Sequence, residues 1–267
     1  MLVEARNLSK IYKTKLSLVK SKNETIKAVN YVSFSVDSNQ IVGLVGESGC
    51  GKSTLSRLLI RLEKPTEGVI KFNGEDIWKY NRRGLKKFRR KSQIIFQDTL
   101  TSLNPNMKIL DSLMEPLDNH FNISRGEKLI KINDIISFVN LEEELLYKYP
   151  GALSGGERQR INICRALLLN PQFLICDEII SSLDVCTQAC ILNLIKKLND
   201  LEGTGILFIS HDISAVKYVC SKILVMYRGS IVEVIDNTNE NYKIKHPYTK
   251  SLLNSVPIDN PNKRSII

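Results

Sequence analysis

Apolar and polar positions change their period several times along this chain. Residues 26–36 alternate in part and are rich in β-branched and aromatic side chains, the pattern of a half-buried strand. Residues 68–72 repeat that pattern and run into Asn73-Gly74, a pair suited to a tight hairpin turn. These pieces predict a small antiparallel sheet. Residues 40–45 differ: Ile41, Val42, Leu44 and Val45 make a nearly continuous apolar run, as in a strand covered on both faces. It leads into a glycine-rich turn, after which Leu55, Leu58, Leu59 and Leu62 recur at helical spacing across residues 52–62.

Between residues 98 and 149 the pattern is helical, with helices predicted at 109–117 and 125–139. A further helix runs through Ile161, Cys164, Leu167 and Leu168 until Asn170-Pro171 stops it. Strand and helix then alternate: strand 173–176, helix 187–201, strand 206–209, helix 214–220, and a closing hairpin of 223–226 and 231–234 around Arg228-Gly229. After Asp236 the chain is polar with three prolines, and little regular structure is expected there. The succession predicts an α/β fold with a parallel-sheet core, an antiparallel β subdomain and an α-helical subdomain inserted at about 98–165. One domain is expected over 1–235, with 236–267 a short C-terminal tail.

The 267 residues are enough to build a core without covalent staples. Six cysteines lack any C-x-x-C pair and are expected to be reduced, small, buried apolar side chains. No apolar run approaches the roughly 18 residues of a membrane span, and the first residues lack the basic-then-apolar plan of a signal peptide. The chain is expected to be soluble and cytoplasmic, serving a membrane only through partners. Its net charge of +10 suits an anionic partner and is densest over residues 82–91, which fit a solvated helix face, a membrane-facing patch or a nucleic-acid contact.

Three constellations carry chemistry. Gly46-Glu47-Ser48-Gly49-Cys50-Gly51-Lys52-Ser53, followed by Thr54, matches G-x-x-x-x-G-K-[ST] between a strand and a helix. In such a turn, glycines let backbone amides curl around the phosphates of a nucleotide at a helix N-terminus. Lys52 adds a point charge to the same oxygens, and the Ser53 hydroxyl ligates Mg²⁺. Second, the apolar strand at 173–176 ends in Asp177-Glu178. A strand buried on both faces has no reason to end in paired acids unless a cation or a water needs them. Asp177 is assigned to Mg²⁺ and Glu178 to polarising the attacking water. Third, Ser154-Gly155-Gly156-Glu157 has the form of a capping box. Two consecutive glycines cost helix stability but allow close backbone approach to an anion, so this tip is expected to be a second phosphate-binding end.

In this order the motifs resemble those of ATP-binding cassette (ABC) transporter nucleotide-binding subunits, over about residues 12–229. The resemblance implies a P-loop NTPase (RecA-like) core, ATP and Mg²⁺ as cofactors, and ATP hydrolysis that energises import. It carries over further roles by position. Gln97, in Ile94-Ile95-Phe96-Gln97-Asp98, matches the glutamine that touches Mg²⁺ and relays to the membrane subunit. Asp184, in Ser181-Ser182-Leu183-Asp184, matches the D-loop aspartate, and His211, in Ile209-Ser210-His211-Asp212, the histidine at the γ-phosphate. Tyr12 matches the adenine-stacking aromatic, before an unusual segment at 13–25.

The family also implies a head-to-tail dimer, in which ATP on the Lys52 side of one subunit is covered by Ser154 and Gly156 of the other. Transmembrane permease subunits are expected to dock near Gln97 and the helical insertion, at the cytoplasmic face of the membrane, with an extracytoplasmic solute-binding protein involved indirectly. Phe96-Gln97-Asp98 leading to Ser102-Leu103-Asn104-Pro105 resembles the peptide and nickel importer branch. So does His246-Pro247-Tyr248-Thr249-Lys250-Ser251-Leu252-Leu253, followed by Ser255-Val256-Pro257. The second of the paired ATPases in oligopeptide or dipeptide importers is the nearest likeness, and its natural mate is expected to be a related ATPase. Ile179 stands where proline is common, and the chain ends at Ile267 without a cysteine-bearing extension, so a nickel importer is the near alternative. ABC ATPases acting on nucleic acid usually carry two cassettes or a coiled-coil insertion, and neither is seen here, so no nucleic acid is expected. A degenerate, non-catalytic partner subunit is disfavoured because Lys52, Ser154, Asp177, Glu178 and His211 are all present.

Overall fold

A computed structural model of the chain describes residues 1–14, 24–98, 102–181, 183–239 and 243–254. Most of the unusual 13–25 segment, Ser182 and the 255–257 motif lie outside the described residues. The elements in order are β1 (Val3–Thr14), β2 (Glu24–Val36), β3 (Ile41–Val45), α1 (Lys52–Leu59), β4 (Glu67–Phe72), β5 (Glu75–Asp76), α2 (Arg82–Lys91) and β6 (Ser92–Ile95). Then come α3 (Ile109–His120), α4 (Arg125–Phe138), α5 (Gly155–Leu167), β7 (Phe173–Asp177), α6 (Val185–Glu202), β8 (Gly205–Ile209), α7 (Ile213–Val219), β9 (Lys222–Tyr227), β10 (Ser230–Asp236) and α8 (Pro247–Asn254).

The strands make two sheets. One is antiparallel, in the order β2-β1-β4-β5; the other has six strands in the order β10-β9-β3-β8-β7-β6. In the second, β9, β3, β8, β7 and β6 are mutually parallel, and β10 closes the edge antiparallel to β9. Alternate residues of the central strands serve two separate cores. Val42, Leu44, Phe173, Ile175, Leu207 and Ile209 face β1, β2 and α1. Ile41, Val45, Leu174, Cys176, Ile206 and Phe208 face α3 to α7. This two-sided burial explains the near-continuous apolar runs; each large side chain so buried contributes about 1.5–3 kcal/mol.

The sequence expectations for β2, β3, β4, β7, β8 and the closing hairpin hold, with Asn73 and Gly74 both at positive φ in the predicted turn. Four points differ. The strand β1 is absent from the sequence reading because its pairing shifts register between Ala5 and Leu8 and again around Lys10, which breaks the two-residue period. The helix after the glycine loop ends at Leu59, not near Leu62: Arg61 turns to φ 57° and Leu62 is exposed. The region after Asp236 contains a helix, α8, whose Tyr248, Leu252 and Leu253 pack on the core. Of the six cysteines, four are buried but Cys186 and Cys190, on α6, are exposed. The basic α2 has Phe88 as its one buried residue, consistent with a solvated face. Among the described residues no helix is long and apolar enough to cross a membrane.

Candidate nucleotide-binding site

The parallel register brings the carboxyl ends of β3, β6, β7 and β8 to one edge of the sheet, where open α/β sheets place their ligands. From these ends leave the glycine loop, Gln97, the Asp177-Glu178 pair and Ser210-His211. Four of the sequence-predicted groups therefore meet along one line.

The loop from Gly46 to Gly51 wraps the N-terminus of α1, and among the described residues no side chain caps that end. Glycine is required at two points by near contact. A Cβ on Gly46 would lie 2.2 Å from the Met226 carbonyl oxygen, and one on Gly51, at φ 112°, would lie 2.1 Å from that of Ala28. The β9–β10 turn supports the loop from below, as the Gly229 amide donates to the Cys50 carbonyl at 2.9 Å. Lys52 is 5% exposed, and its ammonium donates to the carbonyls of Gly46 and Glu47 at 2.6 and 3.0 Å. Ser53, Glu47, Ser48 and Gly49 face solvent, while the Cys50 thiol is buried and its pKa is raised by that burial.

Asp177 is 7% exposed, and the Ser56 hydroxyl stands 3.5 Å from its carboxylate. Burial, followed by the neighbouring Glu178 charge, raises its pKa above the usual carboxylate value. A buried acid held this way is short of positive charge, which suits a bound divalent cation with the Ser53 hydroxyl nearby in sequence on α1. Glu178 adopts φ 51°, an uncommon backbone state for a non-glycine residue, and its amide donates to the Ile209 carbonyl at 2.9 Å. Its carboxylate lies 3.7 Å from Nδ1 of His211, which is largely exposed. Strain of this kind concentrates where a side chain must be aimed.

Tyr12 is half-buried near the start of α1. Its hydroxyl donates to Glu63, its side chain also bonds that of Thr54, and Lys10 sits 5.1 Å from its ring centroid. Burial, then the Glu63 bond, raises the phenol pKa. The Tyr12 bond is in turn the main influence lowering Glu63. Sequence reasoning missed Glu63 as the anchor of this ring, because it lies 51 residues away with no motif around it.

The helix α5 begins at the predicted capping box: Ser154 Oγ accepts the Glu157 amide at 3.2 Å, and Glu157 accepts the Ser154 amide at 2.6 Å. These bonds lower the Glu157 pKa. The two glycines differ in a way the sequence does not show. Among the described residues a Cβ on Gly155 would meet only Leu183 at 3.7 Å, whereas one on Gly156 would strike the Thr187 methyl at 2.7 Å. Packing against α6 therefore accounts for Gly156 by itself. Asp184 caps α6, accepting from the amide of Thr187 at 2.9 Å and from its hydroxyl at 2.7 Å. The stretch around Asp184 and the α5 tip are thus tied together within one chain through Thr187. Gln97 is exposed beside a cavity of about 470 Å³ between β6, α3 and α5, whose walls include Phe96, Asn162 and the Arg165–Glu115 ion pair at 3.0 Å.

Comparison with known proteins identifies the family. The profile of the ABC transporter family matches residues 29–181. A putative oligopeptide transport ATP-binding protein, YkfD of Bacillus subtilis, is 42% identical over 256 residues, covering 95% of this chain and 78% of its own. The oligopeptide transport ATP-binding protein OppF of Streptococcus mutans is 43% identical over 261 residues, covering 97% and 83%. Among solved structures, the dimeric ATP-binding cassette MJ0796 in a post-hydrolysis state with ADP and Pi superposes with a TM-score of 0.78 at 28% identity, covering 88% of this chain and 98% of that one. The chain belongs to the ABC transporter family.

Proposed function

We propose that this chain is the ATP-hydrolysing subunit of an importer for oligopeptides or dipeptides, acting at the cytoplasmic face of the membrane. The observation that carries the reading is the meeting of an uncapped α1 terminus, the Asp177-Glu178 pair and His211 at one sheet edge. It stands in a chain more than 40% identical to oligopeptide transport ATP-binding proteins along nearly its whole length.

The residues divide the work as follows. The amides of residues 48–54 cradle the phosphates at the start of α1, where the helix dipole favours anions. Lys52 turns from the loop carbonyls to the phosphate oxygens, replacing two neutral acceptors with charged ones. Tyr12, held by Glu63, offers its ring to adenine. Ser53, Gln97 and Asp177 would hold Mg²⁺, which would neutralise phosphate charge as it builds during transfer. Glu178 takes the proton of the attacking water, and His211, 3.7 Å from that carboxylate, positions the water and the terminal phosphate.

By the family's head-to-tail arrangement, Ser154, Gly155 and Gly156 act on the nucleotide of a second cassette, with Asp184 beside the shared interface. That cassette is another copy of this chain or, by kinship, a related ATPase. Permease subunits dock at the cavity beside Gln97. The cassette is proposed to span 1–235, with the helical subdomain at about 98–165. The test is import itself. Cells lacking the chain should fail to grow on a peptide as sole source of a required amino acid and should recover with the wild-type chain but not with E178Q. Growth limited by nickel instead of peptide would contradict the cargo assignment.

A further inference from the structure

The helix that sequence reasoning missed touches the phosphate loop. Glu233, on β10, accepts the amides of Lys245 at 2.6 Å and His246 at 3.3 Å, which fixes the chain just before α8. The Tyr248 amide donates to His246 Nδ1 at 3.2 Å, and the Tyr248 ring stacks on Tyr227, at the end of β9, with centroids 4.3 Å apart and planes at 33°. So placed, the Tyr248 hydroxyl accepts the backbone amide of Glu47 at 2.9 Å.

Glu47 is the second residue of the phosphate loop, and its peptide groups are held from two sides. Tyr248 holds its amide, while its carbonyl is one of the two acceptors for the Lys52 ammonium. When Lys52 turns to phosphate oxygens, that carbonyl keeps only the Cys50 amide, at 3.3 Å. The bond from Tyr248 then remains as a fixed point on the outer limb of the loop.

We propose that Tyr248 is a positioning residue for ATP binding and that α8 is a clasp keeping the phosphate loop in its nucleotide-ready shape. The clasp lowers the ordering cost of binding without touching the reacting atoms, so it acts on affinity and not on the chemical step. A force that draws α8 off β10 weakens the grip on ATP. The inference rests on ATP binding at the glycine loop, and its test is arranged so that the two ideas fail separately.

Y248F keeps the ring stack and removes only the hydroxyl. ATP affinity is measured by calorimetric titration, and KM and kcat by phosphate release, on the full chain beside wild type and K52A. The expected result is an ATP Kd and KM raised about 3- to 10-fold, the range set by one net hydrogen bond, with kcat at saturation unchanged. E233A, which frees the amides before α8 and leaves Tyr248 intact, should raise Kd in the same direction. It carries the test should Y248F not fold. A purely structural role would lower the melting temperature of the nucleotide-free chain and leave Kd alone. Y248F binding ATP within twofold of wild type overturns the clasp. Wild type failing to bind ATP, or K52A binding it equally well, overturns the nucleotide assignment instead.

Discussion

The two helix N-termini assigned to phosphate, those of α1 and α5, are built in opposite ways. The α1 end carries no side-chain cap and is shaped largely from outside. The β9–β10 turn bonds the Cys50 carbonyl, the carbonyls of Met226 and Ala28 exclude side chains at Gly46 and Gly51, and Lys52 closes the loop. The α5 end satisfies itself through the Ser154–Glu157 box and is tied to Thr187 of α6. An uncapped end with free amides suits an anion that arrives and leaves in every cycle. A self-capped end stays ordered without one and can be carried as a rigid tip to a nucleotide held elsewhere. A hydroxyl can accept a helix amide and still donate its own proton, so capping does not disqualify Ser154 from a phosphate.

Substitutions at the two ends test this contrast. The largest effect falls on the α1 side. E178Q should slow turnover by about 10²- to 10⁴-fold while ATP binding persists, measured by phosphate release against titration. Turnover near the wild-type rate would remove Glu178 as the base. K52A comes next: losing a charged hydrogen-bond donor to phosphate should weaken ATP by roughly 10- to 100-fold. On the α5 side the glycines should separate. G156A forces the Thr187 contact and should cost about 1–3 kcal/mol of stability in denaturant unfolding. G155A has room and should stay within about 0.5 kcal/mol. Equal losses at both would mean that the packing account of Gly156 is wrong.

The smallest effect is a pH dependence. The folded pKa of Asp177 is raised by burial and by Glu178, so the nucleotide-free chain holds this proton more tightly than the unfolded chain does. Its ionisation therefore lowers stability as pH rises from the ordinary carboxylate range through the raised value. D177N should melt at a higher temperature than wild type at neutral pH, with the gap closing below the ordinary carboxylate range. The same substitution should abolish the Mg²⁺ dependence of ATP binding.

Where a residue's role depends on neighbours in sequence, the chain could be read directly. The buried strands, the glycine loop, the acids ending β7 and the Ser154 box all follow from local pattern, and the structure places them as expected. What could not be read depends on distant partners. The bulged pairing of β1 hides its period, Glu63 reaches Tyr12 across 51 residues, and Gly156 is explained by Thr187 on another helix. The stretch after Asp236 looked irregular because its polarity and prolines are local signals. Its helix is fixed by Glu233 on β10 and by Tyr227 on β9.

In the proposed dimer, a nucleotide gripped at α1 of one cassette is covered by the Ser154 tip of another. The most direct test is sedimentation of the E178Q chain, saturated with ATP and Mg²⁺, alone and mixed with the related ATPase expected to be its mate. A two-cassette particle holding two nucleotides is expected, and it should fall apart in S154R. Fully bound ATP on a particle of one chain's mass, with and without the mate, would contradict it.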